Sequence, residues 1–514
     1  MHLKLMDRVR LPGIRTGAGL VLFGGSFLVF LATLAPGVYG FDSAELATGV
    51  YTQGIVHPPG YPGYLLLGKL FTWLLPARDI AFRLNVMSAL FASLTVLLLF
   101  LAIDNILDAP LPAAAAGFFL GISNYFWQMA LITEVYTTFT AFLAADLLVV
   151  TLWHKHGRPG SLLLFSLLFG LTLTVHTSAI LFAPGFAWLI LRGPSWTKSH
   201  WYWVPVMFGL FAAALCLPYA YLALRAATHP PLDYSQVYPQ ADLRTLSGLW
   251  WFFSGRAYTI FAFAYSLKEV PAEAWHFAGY LWRNYMGAGV LLGLAGIPIL
   301  WRARRDWAIG LLAMFLANAS FYINYRVLDK DTMFLPGYEV WAVFIAAGMV
   351  GLGRMLLRWH LPWGLSPQRG SLALALCAVV LCTGAALNWG WVDMSHADGY
   401  EQFAEEMMAD TAPNSTVIAP WSSAVVLEYY QVVEGRRPDL VIRNRSRYDV
   451  ARYYELLQQG MHREQILDQI QAEEVSYIHQ QIRARPVYAV EYDPVLATQF
   501  EYLPDGRVFR LAVP

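Results

Sequence analysis

GAGLVLFGGSFLVFLATLAPGVYGFDSAE, residues 17–45, decides what kind of protein this is. Its first part is apolar over the length needed to cross a bilayer. It then emerges directly onto two carboxylates, Asp42 and Glu45. Ionisable side chains beside hydrocarbon are costly, so a pair placed there reads as a functional site. Close behind comes His57-Pro58-Pro59-Gly60-Tyr61-Pro62. That loop is stiff, because a residue before proline is pushed to extended backbone. The stretch therefore predicts a membrane-embedded protein with chemistry at the mouth of its first span.

Composition agrees. Of 514 residues, 57% are hydrophobic and only 14% charged, and mean hydropathy is +0.45. Soluble domains carry about a quarter charged residues. A net charge of zero gives no basic surface for nucleic acid. Cys216, Cys377 and Cys382 all sit in apolar runs and say little about redox compartment. The basic, then apolar N-terminus resembles a signal peptide, but no small-x-small cleavage site follows Leu34, so the first span is expected to be uncleaved.

Apolar segments of spanning character occur at 17–35, 85–103, 111–128, 131–152, 161–176, 178–191, 202–224, 286–301, 307–323, 337–357 and 371–391. This predicts an α-helical polytopic protein with about eleven transmembrane helices. Alternate loops carry Lys4, Arg8, Arg10 and Arg15, then Lys155 and Arg158, then Arg192 and Lys198, then Arg302, Arg304 and Arg305, then Arg354, Arg358 and Arg369. The positive-inside rule therefore puts the N-terminus in the cytoplasm and, with an odd span count, the C-terminus outside. The loop 104–110 is an exception, with Asp104 and Asp108 and no base. Asp42, Glu45, Glu134, Asp233, Asp242, Glu269, Glu273, Asp329, Asp331 and Glu339 map to the outer face or within a turn of it. Polar chemistry gathered on one surface favours an enzyme over a transporter, whose key charges lie near the midplane.

The first outer loop, 36–84, admits a helix with Asp42 as N-cap and Glu45 three residues on, a capping box. A second helix is expected over 64–75, lying at the membrane surface with Trp73 at the interface. The outer region 225–285 is aromatic, with Trp250, Trp251, Tyr258 and Tyr265 among its rings and Arg256 in their midst. It reads as an interfacial anchor or as a groove for a lipid chain with a cation at its mouth. Asp329-Lys330-Asp331 resembles an Asp-x-Asp metal motif, and also fits a polar network near the site. No His/Cys spacing of the zinc type is present, and no metal is expected. From 392 to 514 helices alternate with short apolar strands, which predicts a small α/β domain outside the membrane. The transmembrane domain is thus 1–391 and the soluble domain 392–514, the latter expected to recognise substrate or serve structure.

Phe41-Asp42-Ser43-Ala44-Glu45 followed by His57-Pro58-Pro59-Gly60-Tyr61-Pro62 resembles the N-terminal signature of a mostly bacterial family of polytopic proteins. That family includes the animal endoplasmic-reticulum transmembrane O-mannosyltransferase that modifies receptor IPT domains. Thr133-Glu134-Val135-Tyr136, Gly170-Leu171 through His176, Asp329-Lys330-Asp331 with Leu335-Pro336, and 430–439 extend the likeness. It implies a GT-C glycosyltransferase fold with its active site on the outer face and a polyprenyl- or dolichyl-phosphate sugar as donor. It implies a catalytic acid in the first outer loop, where Asp42 stands. The expectation from this resemblance is a chain without the long helical-repeat tail of the animal member, which leaves the acceptor open.

Transfer from a lipid-phosphate sugar requires a base for the acceptor hydroxyl, a cation for the departing phosphate and an apolar groove. The expectation is inverting single displacement with Asp42 as base and Glu45 as its partner, the two roles being exchangeable. Tyr61, Glu134 and Tyr136 join them as substrate-binding candidates. His57 reads as a ligand of acceptor or donor phosphate, or as a structural residue. His176 reads equally as a satisfied interior histidine. Arg256, Arg326 and Lys330 compete for the phosphate, and Arg83 reads as a membrane-edge anchor. No cofactor is expected. The expected partners are the bilayer, the lipid-linked donor and an exported protein accepting on Ser/Thr, in a bacterial inner membrane with the site facing the periplasm. A lipid or glycan acceptor, a flippase or transporter, and an assembly scaffold are the alternatives.

Overall fold

The computed structural model describes residues 12–194, 196, 198–327, 330–358, 379 and 382–514. Among the described residues, six helices are long and apolar enough to cross a membrane: Arg15–Ala32, Ile80–Leu107, Val135–His156, Val204–Ala226, Arg305–Ile323 and Leu335–Met355. A seventh crossing exists if Val270–Asn284 and Ala288–Ala303, bent by 105°, form one span. The other expected spans are shortened by breakers. The 111–128 segment stops at Gly121 and restarts as Asn124–Met129. The pair around His176 becomes Pro159–Val175, a 3-10 turn Thr177–Phe182 and Ala183–Leu191. The last expected span, 371–391, lies largely outside the described residues. Six or seven of the eleven are therefore present at full length.

Helix packing depends on close backbone approach at glycine. Helix Ala288–Ala303 crosses Leu335–Arg358 where a Cβ on Gly296 would meet the Phe344 carbonyl, and one on Gly348 would meet the Leu292 carbonyl. Charge pairs tie together loops assigned to the same side. Arg15 bridges to Asp104 at 2.8 Å and to Asp108 at 2.7 Å. The 104–110 loop, acidic where a basic one was expected, thus receives its cation from the N-terminal helix. Arg192 pairs with Asp306 in the same way, at 3.0 Å.

Between the first two long spans, α1 (Pro12–Ala32) and α4 (Ile80–Leu107), lie the short helices α2 (Asp42–Thr52) and α3 (Pro62–Leu74). Trp73 and Leu74 at the end of α3 are exposed, as an interfacial helix requires. Arg83 does not face lipid alone: its guanidinium donates to the carbonyls of Thr72, Ala77 and Arg78 and ties off the end of α3.

The C-terminal region contains β1 (Thr416–Ala419), β2 (Val441–Asn444), β3 (Val487–Ala489), β4 (Glu501–Asp505) and β5 (Val508–Ala512), in one sheet of order β2-β1-β3-β5-β4. β1 runs parallel to both β2 and β3, while β5 pairs antiparallel to β3 and β4. β1, β2 and β3 occupy the short apolar runs of this region, and the β4–β5 hairpin closes the sheet. This region packs on the first outer loop. Met394 donates to the Thr33 carbonyl, Ala81 donates to the Tyr429 hydroxyl, and Val417, Val425 and Tyr429 join the main core.

Candidate active site

Helix α2 does not begin with a capping box. Phe41, at φ 58°, occupies the cap position without a side-chain hydrogen bond, and Asp42 is the first helical residue. Glu45 is turned inward instead of back to the helix start. Its side chain is fully buried and holds four donors. One oxygen accepts from the backbone N–H of His57 at 2.8 Å and lies 2.8 Å from His57 Nδ1. The other accepts from the Tyr234 hydroxyl at 2.7 Å and from Trp421 Nε1 at 3.3 Å. A buried carboxylate this well supplied is stable only as an anion beside a cation. Burial alone would raise the Glu45 pKa, but His57 and the hydrogen bonds win and lower it to about 2. For His57, burial works downward and the Glu45 and Asp42 charges upward, leaving it at about 9. The pair is an ion pair at neutral pH.

The histidine loop is pinned from several sides. Pro58 and Pro59 lack N–H groups, and Gly60 turns the chain at φ 86°, where a Cβ would strike Phe252. Tyr219 donates to the Pro59 carbonyl at 3.0 Å. Tyr61 lies 3.2 Å from His57 Nε2, so both ring nitrogens are engaged. Ser43 donates to the Thr133 carbonyl at 2.7 Å and sets the start of α2 beside Glu134.

Asp42 differs from Glu45. Its oxygen is 3.9 Å from His57 Nδ1, and its side chain keeps 32% of its surface open. Of the two carboxylates, it is the one an incoming molecule can reach. Glu134 caps the helix Val135–His156 and is buried, its charge felt by His57 and Tyr61. Tyr136 and Tyr61 have rings 5.9 and 5.6 Å from His176, which itself stacks on Phe139 at 5.1 Å. The His176 Nδ1 is met by Ser178 at 2.8 Å. The first-loop and helix-start candidates Asp42, Glu45, His57, Tyr61, Glu134, Tyr136 and His176 thus form one connected cluster.

Of the basic candidates, Lys330 and Arg326 meet at Tyr265, whereas Arg256 belongs to a different turn. Lys330, whose side chain is buried, makes an ion pair with Glu273 and reaches the Tyr265 hydroxyl at 3.2 Å. Arg326 pairs with Glu269 at 3.1 Å and its guanidinium lies 5.0 Å over the Tyr265 ring. Tyr265, Glu269, Glu273 and Arg326 line a cavity of about 390 Å³. Arg256 is exposed at the start of the turn Arg256–Tyr258, whose Tyr258 ring is 6.2 Å from His57. Asp331 accepts from the Thr332 N–H at 3.1 Å. Asp329 lies outside the described residues.

Sequence reasoning missed Tyr234 and Trp421, and had Tyr258 only as one ring of the aromatic region 225–285. Tyr234 is delivered by a parallel bridge between Ile55 and Asp233, where Ile55 donates to the Leu232 carbonyl and accepts from the Tyr234 N–H. That contact joins residues far apart in the chain and leaves no local signal. Trp421 had a signal, since it follows Pro420 at the carboxyl end of β1, the edge where α/β sheets bind ligands.

Residues 42–200 match the family model of the protein O-mannosyl-transferase TMEM260 N-terminal domain. The mouse protein O-mannosyl-transferase TMEM260 is 32% identical over 126 residues, 24% of this chain and 18% of that protein. Its Dictyostelium discoideum counterpart is 24% identical over 141 residues, 27% of this chain and 17% of that protein. The match thus spans under a fifth of either relative. Among solved structures, ArnT from Cupriavidus metallidurans, bound to undecaprenyl phosphate, superposes over 97% of both chains with a TM-score of 0.57 at 11% identity. The Archaeoglobus fulgidus oligosaccharyltransferase covers 98% of this chain and 72% of its own, with a TM-score of 0.53 at 14% identity. Over residues 42–200, which hold Asp42, Glu45, His57 and His176, the chain is therefore similar to the TMEM260 N-terminal domain, and its fold is like that of ArnT and the oligosaccharyltransferase.

Proposed function

We propose that this protein is a membrane glycosyltransferase that moves a sugar, mannose in its relatives' chemistry, from a polyprenyl-phosphate donor to an acceptor hydroxyl on the extracytoplasmic face. The observation that carries the reading is the division of labour between the two carboxylates. Glu45 is saturated by four donors and bound to His57, whereas Asp42 is partly open beside that histidine. A general base needs a carboxylate that the acceptor can reach, and the Asp42 side chain, at the start of α2, keeps about a third of its surface exposed. The ArnT structure, bound to undecaprenyl phosphate, supports the donor class. The sequence relatives are named protein O-mannosyl-transferases, which favours a protein hydroxyl as acceptor; we take it to be Ser/Thr of an exported protein.

In the proposed step the acceptor oxygen attacks the anomeric carbon opposite the phosphate. Its proton passes to the Asp42 carboxylate, the carbon–oxygen bond to phosphate breaks, and polyprenyl phosphate departs with inversion. The scheme uses no cofactor and no metal. The His57 imidazolium, 3.9 Å from Asp42, stands as a counter-charge beside the proposed base, and the Asp42 charge helps to hold His57 protonated. Arg326 and Lys330 are engaged with glutamates; Arg256 makes no ion pair among the described residues and sits beside Tyr258. Arg256 is therefore ranked first for the donor phosphate. Against a transporter, Asp146, the carboxylate deepest in a span, is engaged by the Thr172 hydroxyl at 2.7 Å. A bacterial-type inner membrane with the site outward fits the charge distribution.

The test is purified protein in nanodiscs, offered a panel of polyprenyl-phosphate sugars with a Ser/Thr peptide. Sugar-dependent release of free polyprenyl phosphate is expected, and Asp42→Asn should cut it by about 10²–10⁴-fold while donor protection against heating persists. Equal turnover in Asp42→Asn would exclude the base assignment. Transfer to lipid or glycan in place of peptide would reassign the acceptor.

A further inference from the structure

The C-terminal sheet has a topological switch point. From β1 the chain goes to β2 on one side and then crosses to β3 on the other. In such sheets the crevice outside the carboxyl ends of the strands is where ligands are held. Here that edge faces the first outer loop. Trp421, just past β1, donates to Glu45 at 3.3 Å and packs its ring 6.0 Å from Phe41. Arg447, just past β2, lies 4.8 Å over the ring of Tyr234, the other donor to that Glu45 oxygen. Arg447 is held by a two-point pair with Glu428, at 3.0 and 2.7 Å. Glu428 belongs to the helix Trp421–Val432 that begins at Trp421 itself.

We propose that Trp421 and the Arg447–Glu428 pair are positioning residues for the Glu45–His57 pair, so that the carboxyl edge of the C-terminal sheet is the second wall of the reaction site. This rests on the transferase reading above. A bidentate arginine–carboxylate pair is rigid, and a cation set over Tyr234 fixes the phenol whose hydroxyl binds Glu45. The indole N–H fixes the same oxygen from the opposite chain segment. Two donors on one carboxylate oxygen leave the other oxygen to His57 in a single orientation. The groups facing the pair are Asp42, Tyr61, Glu134, His176, Tyr234, Tyr238, Tyr258, Glu428 and Arg447. Of these, Glu428 and Arg447 come from the C-terminal region, as does Trp421.

The experiment uses the full chain in nanodiscs, labelled on histidine, with His57→Gln to assign the His57 ring. Trp421→Phe keeps the aromatic packing and removes one N–H. Arg447→Met with Glu428→Met replaces the buried pair by apolar residues of similar size, which preserves folding better than losing one partner. With a polyprenyl-phosphate mannose and a Ser/Thr peptide, both variants should lose about tenfold in kcat with donor KM within about twofold. Their His57 Nδ1 proton should move further downfield, because a donor that competes with His57 for the Glu45 carboxylate is lost in one variant and loosened in the other. An unchanged His57 resonance and unchanged kcat in Trp421→Phe would overturn the inference even if the wild type transfers sugar. A wild type that transfers no sugar, with a His57 proton that still moves in Trp421→Phe, would overturn the transferase reading and uphold the second wall.

Discussion

Residue by residue, the site is governed by which carboxylate is saturated. The Glu45–His57 pair has a defined pH signature. His57 rises from an ordinary 6.5 to about 9, so its contribution to stability is full below 6.5 and disappears as pH climbs through 9. Glu45 falls from 4.5 to about 2, so its contribution is full above 4.5 and disappears as pH drops through 2. Both are present together between 4.5 and 6.5. Thermal unfolding followed against pH should therefore plateau there and decline on the alkaline side toward 9. Glu45→Gln should abolish that alkaline decline and cost about 3–5 kcal/mol, because it leaves a buried imidazolium without its counter-charge. A Glu45→Gln protein with the wild-type pH–melting curve would contradict the pair.

Elements meet where side chains are absent. Helices Ala288–Ala303 and Leu335–Arg358 touch backbone to backbone at Gly296 and Gly348. The obstructing atoms are carbonyls, which cannot rotate away as a flexible side chain would. Gly296→Ala is expected to lower stability by about 1–3 kcal/mol through forced separation of the helices. Gly209→Ala, in helix Val204–Ala226 with open space around it, should be neutral or slightly stabilising by helix propensity. Melting both variants in one detergent compares them directly; equal losses would show that the close crossing is not tight. At this scale the sequence was legible wherever breakers or alternation spoke. The α3 helix starts at Pro62, and β1 to β3 fall on the apolar runs. The Asp505-Gly506 turn, a hairpin signal with Gly506 at φ 61°, marks the β4–β5 pair that pattern reading passed over.

For the whole molecule, the charge asymmetry and the ion pairs agree on sidedness: Arg15 with Asp104 and Asp108, and Arg192 with Asp306, each join loops assigned to the cytoplasm. In spheroplasts a membrane-impermeant thiol reagent should label Leu267→Cys and Asp505→Cys, both exposed, and spare Lys155→Cys until the membrane is opened, with Cys216, Cys377 and Cys382 replaced by Ser. Labelling of Lys155→Cys alone would invert the topology. The sequence by itself determined the membrane character of the chain, which ends of the apolar segments carry the bases, and that Asp42, Glu45 and His57 follow one another closely at the mouth of the first span, because hydropathy, charge and a proline-stiffened loop act over short stretches. It also carried the α/β character of the C-terminal region. Only the tertiary structure decided which carboxylate is the saturated one, and that the saturating donors are Tyr234 and Trp421, 189 and 376 residues from Glu45. The physical reason is that a hydrogen bond requires a meeting in space. Where the partners come from a bridge between distant loops and from the docked edge of a separate sheet, no local pattern records the meeting.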